Sequence, residues 1–283
     1  MAALQTRDSG AFVAAGLTAI SPLGNPWEAA PEPQVASPRE TRQIIAMNAE
    51  EEILALPGGP TRVRWRRHAR ARRVSLRIDP RGGGVVVTLP ARAGRRAGMA
   101  LLMTHADWVA ERLAALPSAI AFADGTAIPI DGTLHRIRHL RKGDPEGARG
   151  SVWVEGETLF VSGGVEFLAR RVGDFLRAEA RRRFIALAAT KAGTAGLRAL
   201  RVSVKDTRTR WGSCARDGAL SFSWRLIMAP RFVQDYVAAH EVAHLRHMDH
   251  GPRFWALVDE LTPWRAEGMR WLNGEGARLL RIG

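Results

Sequence analysis

The stretch HEVAHLRHMDH, residues 240–250, places four histidines and one glutamate within eleven residues of a chain that has eight histidines in total. His240 and His244 are four residues apart, so on an α-helix they point within ~40° of each other, one turn apart along the axis. Two imidazoles placed in this way can bind one zinc ion at about 2.0–2.1 Å. The spacing therefore predicts part of a metal site.

Glu241 completes an HExxH pattern with these two histidines. In helices of this type the glutamate does not bind the metal but takes a proton from a water that does. A metal ion lowers the pKa of water from 15.7 to about 7, which makes hydroxide available at neutral pH. We expect Glu241 to be the general base of a hydrolytic reaction. The alternative is a solvated, histidine-rich helix without a metal.

A third protein ligand is expected if water is to keep the fourth position of a tetrahedral site. On a continued helix His247 would lie ~10.5 Å along the axis from His240, too far along one straight face to surround the ion. His250 precedes Gly251-Pro252, a composition that turns the chain, and a turn there can bring it back over the first two histidines. We predict His250 as the third ligand. The other candidates for this position are Glu260, Glu267 and Cys214.

Four further residues are candidates for substrate contact, namely Trp211, Gly212, Ser213 and Tyr236. The first three form a short β-like segment before the histidine helix, and a glycine there lets another backbone approach closely. Tyr236 is the only tyrosine and lies one helical turn before His240. An ordinary packed strand and a core aromatic residue are the alternative interpretations. Hydrogen-bond partners for the ligand histidines are expected among acidic residues: Asp249, Asp259, Glu260 and Glu267.

The order of patterns along the chain predicts an α+β fold with two domains. Residues 1–50 lack a steady period and are expected to be disordered. Residues 51–163 are rich in β-type alternation, with a hairpin within 74–89 and one helix over 97–116, and form a predicted N-terminal subdomain. Residues 164–283 begin with a long helical pattern over 165–193, continue through short strands, and are helical from Pro230 onward. This second region is the predicted catalytic domain.

Composition indicates the cellular compartment of the protein and the kinds of partner it can bind. Cys214 is the only cysteine, so no intrachain disulfide is possible and a reducing, cytoplasmic compartment is favoured. No apolar run approaches the ~20 residues that cross a bilayer, and residues 11–20 lack the charged flank of a signal peptide. The formal net charge is +14, and RVRWRRHARARRVSLR, residues 62–77, contains no acid. We interpret that run as a solvated basic face, with a nucleotide or nucleic-acid contact as the alternative.

Residues 206–255 resemble the YgjP-like metallopeptidases, which are related to the WLM and SprT-like zincins. The resemblance lies in RWGSC, WRLI, DYV, HEVAHL and DHGPRFW, and extends over about 62–275 through ARRVSLRI and LHRIRHL. It implies zinc at His240, His244 and His250, Glu241 as catalytic base, and a minimal zincin-like fold with a small sheet over the active helix. Ser223 departs from the pattern, in which relatives carry asparagine.

Three functions remain open from the sequence. The first is a zinc-dependent peptidase acting on a peptide or protein. The second is a metal-dependent nucleoside triphosphate pyrophosphatase or phosphohydrolase, since relatives have been linked to nucleotide hydrolysis, although no phosphate-cradling glycine pattern lies near the histidines. The third is a nucleic-acid-associated protease, as in related groups that digest protein crosslinked to DNA.

Overall fold

The computed structural model describes residues 50–141, 143–144, 150–198 and 201–283. The predicted disordered segment, 1–50, lies outside these residues apart from its last position. Within them the chain is a mixture of small sheets and helices, which confirms the α+β class. Two compact units are present: one comprises residues 176–269, and the other comprises residues up to 175 together with 270–283. The predicted boundary at 163/164 stays a prediction.

The unit that begins at residue 50 contains two four-stranded sheets, with strand orders β1-β2-β4-β3 and β5-β6-β8-β7. The strands of the first sheet are β1 Glu50–Leu56, β2 Gly59–His68, β3 Ser75–Asp79 and β4 Gly84–Pro90, and those of the second are β5 Ala127–Ile130, β6 Thr133–Leu140, β7 Val152–Glu155 and β8 Thr158–Ser162. The antiparallel pair β3–β4 is the hairpin that the sequence predicts. Its turn contains Gly83 at φ +63°, a conformation that glycine adopts without strain.

The first sheet packs against two short helices, α1 Arg95–Thr104 and α2 Ala106–Ala114. The sequence predicts one helix here, but the backbone leaves the helical region at His105. Leu102, Ala106 and Val109 are buried and keep the i, i+4, i+7 spacing of a continuous helix across the break. The hydrophobic pattern of the sequence therefore does not indicate the break. The tight packing depends on Gly98, where a Cβ would lie 2.6 Å from the Trp65 ring.

The unit of residues 176–269 contains a three-stranded sheet, strand order β10-β11-β9, and most of the helices that follow it. Its elements are the end of α3 Leu168–Thr194, β9 Arg201–Lys205, β10 Gly212–Cys214, β11 Ala219–Ser223, α4 Arg231–Ala243, α5 Pro252–Leu261 and the start of α6 Arg265–Leu279. Short 3-10 helices at Val165–Phe167 and Trp224–Met228 precede α3 and α4. Phe184 of α3 stacks on Phe222 of β11 at 4.6 Å between ring centroids, which joins the long helix to the sheet.

The second half of helix α4 is buried. Every residue from Tyr236 to Ala243 is buried, so this helix has no solvated face over its last two turns. A helix that is apolar on all sides is expected in an interior position, and the charged or polar side chains within it therefore need a specific reason to be there. The two that matter are His240 and Glu241. None of the helices in the described part of the chain is long and apolar enough to cross a membrane.

Candidate metal centre

Three histidine side chains converge at the C-terminal end of α4. The Nε2 atom of His240 lies 3.2 Å from Nε2 of His244 and 3.2 Å from Nε2 of His250. One ring nitrogen from each of the three lies within 4.8 Å of the others. Two ligands at ~2.05 Å from a tetrahedral ion are separated by about 3.3 Å, so the observed separations match those of nitrogens that share one metal.

The turn between α4 and α5 brings His250 to the other two histidines. Helix α4 ends at Ala243, and α5 begins with Pro252 at its first position, where the missing N–H is tolerated. Asp249 stabilises the turn, because its carboxylate accepts a hydrogen bond from the Gly251 backbone N–H at 3.0 Å. The chain therefore folds back, and His250 faces His240 although ten residues separate them.

His247 contributes its backbone and not its ring. The His244 Nδ1–H donates a hydrogen bond to the His247 carbonyl at 2.9 Å, which leaves the lone pair of Nε2 directed at the cluster. Such a bond fixes the tautomer and orientation that a ligand histidine needs. In the described part of the chain the histidine group includes neither His247 nor the alternative ligands Glu260, Glu267 and Cys214. Of the candidate acidic partners, Asp259 forms an ion pair with Arg265 at 2.8 Å.

Two aromatic residues of α5 support the histidines. Phe254 is fully buried, stacks on His244 at 4.4 Å, and has its ring centroid 4.7 Å from that of His250. The Trp255 ring lies 5.7 Å from His250 on another side. These contacts restrict the rotation of the imidazoles, so the convergence of the three nitrogens is built into the packing of α5 against α4.

Burial lowers the pKa of all three imidazoles. The pKa of His240 lies well below its usual range because of burial and the neighbouring His244 and His250, and the pKa of His244 is lowered to about 4, mainly by burial. Burial also lowers the pKa of His250, against the opposing charge of Asp249. At neutral pH the three rings are therefore uncharged, which is the form that binds a metal ion.

Glu241 is a buried carboxyl group next to this cluster. Its side chain is fully inaccessible, and neither of its oxygens has a hydrogen-bond partner among the described residues. Burial raises its pKa well above the ordinary range, and the charge of Arg210 opposes that shift. A buried, unpartnered carboxyl group is costly to stability. Its retention beside three converging imidazoles fits a site in which the carboxylate handles protons and the histidines hold a metal.

Strand β10 packs directly against Glu241 through Gly212. A Cβ at position 212 would lie 2.6 Å from Cδ of Glu241, closer than real side-chain contacts allow. The sequence predicts that another backbone approaches at this glycine; in the structure the Glu241 side chain lies there, and the approach of a substrate backbone stays a prediction. Gly268 of α6 leaves similar room for the Tyr236 ring of α4. A Cβ at position 268 would lie 2.6 Å from Cδ1 of Tyr236.

The other three candidate substrate residues are buried in the structure. Trp211 and Tyr236 are 0% and 1% exposed, and Ser213 is 5% exposed. The Tyr236 ring meets that of His240 edge-on at 6.0 Å, and burial raises the pKa of its hydroxyl. Tyr236 therefore supports His240 in this structure, and contact of Trp211, Ser213 and Tyr236 with substrate stays a prediction.

One edge of β10 has no strand partner among the described residues, although all three residues of the strand are buried. On the paired edge, the Trp211 carbonyl accepts a hydrogen bond from Ser223 N–H at 2.8 Å, and Ala215 N–H donates one to the Ala219 carbonyl at 2.9 Å. The backbone groups of residues 211 and 215 therefore point toward β11. Since the backbone groups of an antiparallel strand alternate in direction, those of Gly212 and Cys214 point toward the opposite, open edge. This edge begins beside Glu241.

The Arg-rich run 62–77 forms part of β2, part of β3 and the connection between them, in the other unit. Several of its arginines are exposed and make no ion pair with any described carboxylate: Arg62, Arg66, Arg70, Arg72 and Arg73. Trp65 and Val63 of the same strand are buried, so the strand presents cations on one face and packs its apolar residues on the other.

One comparison with known proteins identifies a family. No curated protein and no solved structure matches the chain. The model of the YgjP-like family, metallopeptidase domain, matches residues 72–275, a range that includes β10, α4 and all three histidines of the cluster. The chain therefore belongs to the YgjP-like metallopeptidase family.

Proposed function

We propose that this protein is a zinc-dependent peptidase in which His240, His244 and His250 hold the metal and Glu241 is the general base. The observation that carries the proposal is the convergence of three imidazoles, with Nε2 of His240 3.2 Å from Nε2 of both His244 and His250, at the end of a helix that also holds the buried, unpartnered carboxyl group of Glu241. Three histidine ligands with one open position are typical of catalytic zinc. The small sheet against α4 also supports a minimal zincin-like fold.

When bound, the metal supplies Lewis acidity, which acidifies a water and polarises the carbonyl of the substrate. Glu241 accepts the proton of the attacking water and then delivers it to the nitrogen of the leaving amine as the C–N bond breaks. Burial raises the pKa of Glu241, which favours the protonated form that the carboxyl group takes after accepting the proton. Gly212 leaves room for this carboxyl group against β10.

The unpaired edge of β10 is the proposed binding place of a peptide substrate; because the strand is buried in this structure, the groups that cover it would have to move aside. A substrate strand added there would form hydrogen bonds with the backbone of Gly212 and Cys214. Because this edge starts beside Glu241, the substrate backbone would pass the base and the histidines. Backbone recognition of this kind places few demands on the side chains of the substrate.

The test compares wild-type protein, Glu241→Gln and the control Glu267→Gln, each loaded with zinc. Glu267 is an exposed residue of α6 with no role in the cluster. Digestion of an unbiased peptide library, read by mass spectrometry, is expected to occur with wild type and Glu267→Gln and to be lost in Glu241→Gln. Equal digestion by all three would reject the proposal. Release of pyrophosphate from UTP, abolished by a chelator and by Glu241→Gln, would assign the site to nucleotides instead.

The exposed arginines of β2 and its following connection favour a second activity, contact with nucleic acid. Cations that lack acidic partners attract phosphates and release counterions when they bind them, so the affinity falls steeply with salt. Fluorescence anisotropy with a labelled oligonucleotide measures this slope. Replacing Arg66, Arg70 and Arg73 by Gln is expected to reduce the slope by about 3, at roughly one unit per phosphate contact. A flat salt response of the wild type would exclude this activity.

A further inference from the structure

Arg265 is the first residue of α6, and the turn before it is held against α4. The Thr262 hydroxyl donates a hydrogen bond to the carboxylate of Asp235 in α4 at 2.6 Å. The same oxygen accepts a hydrogen bond from the Trp264 backbone N–H at 3.2 Å. These two bonds fix the backbone from which the Arg265 side chain extends.

The guanidinium of Arg265 lies over the ring of Trp255 in α5. Its Cζ atom is 5.3 Å from the ring centroid, and a cation within about 6 Å of a tryptophan face is attracted by the electrons of the ring. The centroid of the same ring lies 5.7 Å from that of His250 and 5.8 Å from that of His240. Trp255 therefore contacts both the guanidinium and two of the three proposed metal ligands.

The guanidinium is close to the histidine cluster on the scale of a peptide. The contacts of 5.3 Å and 5.7 Å place Arg265 Cζ at most about 11 Å from the centroid of the His250 ring. An extended chain advances ~3.3–3.6 Å per residue, so this distance corresponds to about three residues. His250 is exposed and the Arg265 side chain is 38% exposed, so both groups can be reached from solvent.

One carboxylate already pairs with Arg265. Its Nε atom lies 2.8 Å from Oδ1 of Asp259, whose side chain is 49% exposed, and an ion pair as hydrated as this one is weak. In the described part of the chain, Arg265 has no other charged partner and makes no hydrogen bond. Because a guanidinium has five N–H donors in a planar fork, it can bind a second carboxylate or exchange the first for it.

We propose that Arg265 is a specificity-determining residue that binds a carboxylate of the peptide substrate, carried within three residues of the cleaved bond. This inference rests on the proposed peptidase function. The planar guanidinium pairs with a carboxylate through two parallel hydrogen bonds, which gives the interaction a defined geometry. The Trp255 ring holds the guanidinium beside the cluster, and the substrate carboxylate competes with Asp259 for its donors. Arg265 takes part in no covalent step.

The experiment compares zinc-loaded wild type, Arg265→Gln, Arg265→Glu and the control Arg181→Gln. Arg181 is an exposed arginine of α3, so its replacement removes the same charge elsewhere. An unbiased peptide library is digested, and the cleavage sites are read by mass spectrometry. Wild type and Arg181→Gln are expected to prefer a carboxylate within three residues of the cleaved bond. Arg265→Gln should lose this preference, and Arg265→Glu should prefer lysine or arginine at the same position.

The library is supplied both as free acids and as C-terminal amides, which separates the two sources of a carboxylate. A preference that persists in the amides comes from a glutamate or aspartate side chain. A preference confined to the free acids comes from the C-terminus of the substrate. Either result supports the proposal, because the chemistry that Arg265 recognises is the same.

Two peptides that differ only in this group, a carboxylate in one and an amide in the other, measure the size of the effect. Arg265→Gln is expected to lower kcat/KM for the carboxylate peptide by about 10-fold, as for the loss of hydrogen bonds to a charged group. The change should lie mainly in KM, because the interaction is present before and during the reaction. Cleavage of the amide peptide should stay that of wild type.

Two further measurements do not depend on turnover by an Arg265 variant. Asp259→Asn removes the competing carboxylate and leaves Arg265 in place, so it is expected to increase the preference for the carboxylate peptide. Metal-free Glu241→Gln protein should bind the carboxylate peptide more tightly than the amide peptide in calorimetry. Adding Arg265→Gln to that protein should make the two affinities equal.

The outcomes that overturn the inference differ from those that overturn the proposed function. Equal kcat/KM of wild type for the two peptides, or a preference that persists in Arg265→Gln, would reject the role of Arg265 and leave the peptidase proposal intact. A lower kcat on both peptides would mean that Arg265 acts on the histidines through Trp255 and not on the substrate. Full activity in Glu241→Gln would reject the peptidase proposal itself.

Discussion

Gly212 and Glu241 are in direct contact across the interface between β10 and α4, where a Cβ on residue 212 would lie 2.6 Å from Cδ of the glutamate. The two residues are 29 positions apart in the sequence. The contact explains why the strand can lie so close to an interior carboxyl group, and it makes the smallest residue of the strand a determinant of where the proposed base is held.

Gly212→Ala is expected to lower kcat by about 10²-fold or more, because a displacement of about 1 Å in a catalytic group costs this much. The three atoms nearest to a Cβ at position 212 all belong to Glu241 and none to the histidines, so the zinc content should stay that of wild type. The measurement is peptide cleavage alongside metal analysis of the same samples. Wild-type turnover in Gly212→Ala would show that Glu241 tolerates displacement and would argue against its role as base.

His250→Ala is expected to lower the affinity for zinc by more than about 100-fold, the upper range for loss of an outer partner of a metal site. The control is His247→Ala, which keeps the backbone carbonyl that accepts the His244 N–H and should keep its zinc. Competition with a chromogenic chelator measures both. If His247→Ala loses zinc and His250→Ala keeps it, the assignment of the third ligand is reversed.

The Cys214 thiol is expected to be unreactive in the native protein. Burial, together with the charges of Glu241 and Asp217, raises its pKa to about 12, whereas an ordinary thiol ionises near pH 8.5. Raising the pH from 7 to 9 therefore converts an ordinary thiol largely to thiolate but leaves Cys214 protonated. Alkylation by iodoacetamide should be slow across this range in native protein and fast in urea. Equal rates in the two states would show that β10 is not buried as described.

The histidine cluster shows what local spacing in a sequence is able to predict. His240 and His244 are related by helix geometry alone, and the Gly251-Pro252 turn indicates that the chain reverses beyond them. These are relationships within a few residues, where the backbone has few alternatives. For the same reason the hairpin of β3 and β4 follows from its turn composition.

Contacts between segments that are distant in the chain cannot be predicted from the sequence patterns. No pattern connects Gly212 with Glu241, since the contact depends on how β10 packs on α4. The sequence does not reveal the break at His105, because the buried positions keep helical spacing across it.

Phe254 is expected to connect folding to metal binding. Its ring is fully buried and contacts His240, His244 and His250, so Phe254→Ala removes a core side chain and the wall that holds three imidazoles together. The free energy of unfolding should fall by about 3–5 kcal/mol, the usual cost of such a truncation. The affinity for zinc should fall as well, because the freed rings must be ordered by the metal itself.

Urea unfolding of metal-free protein and chelator competition measure these two effects separately. Met248→Ala is the control, since Met248 is 40% exposed in the same turn and its truncation should change the stability by less than about 0.5 kcal/mol. The decisive comparison is between the two readouts. A Phe254→Ala protein that is destabilised but binds zinc as tightly as wild type would mean that α4 and its turn position the histidines without help from α5.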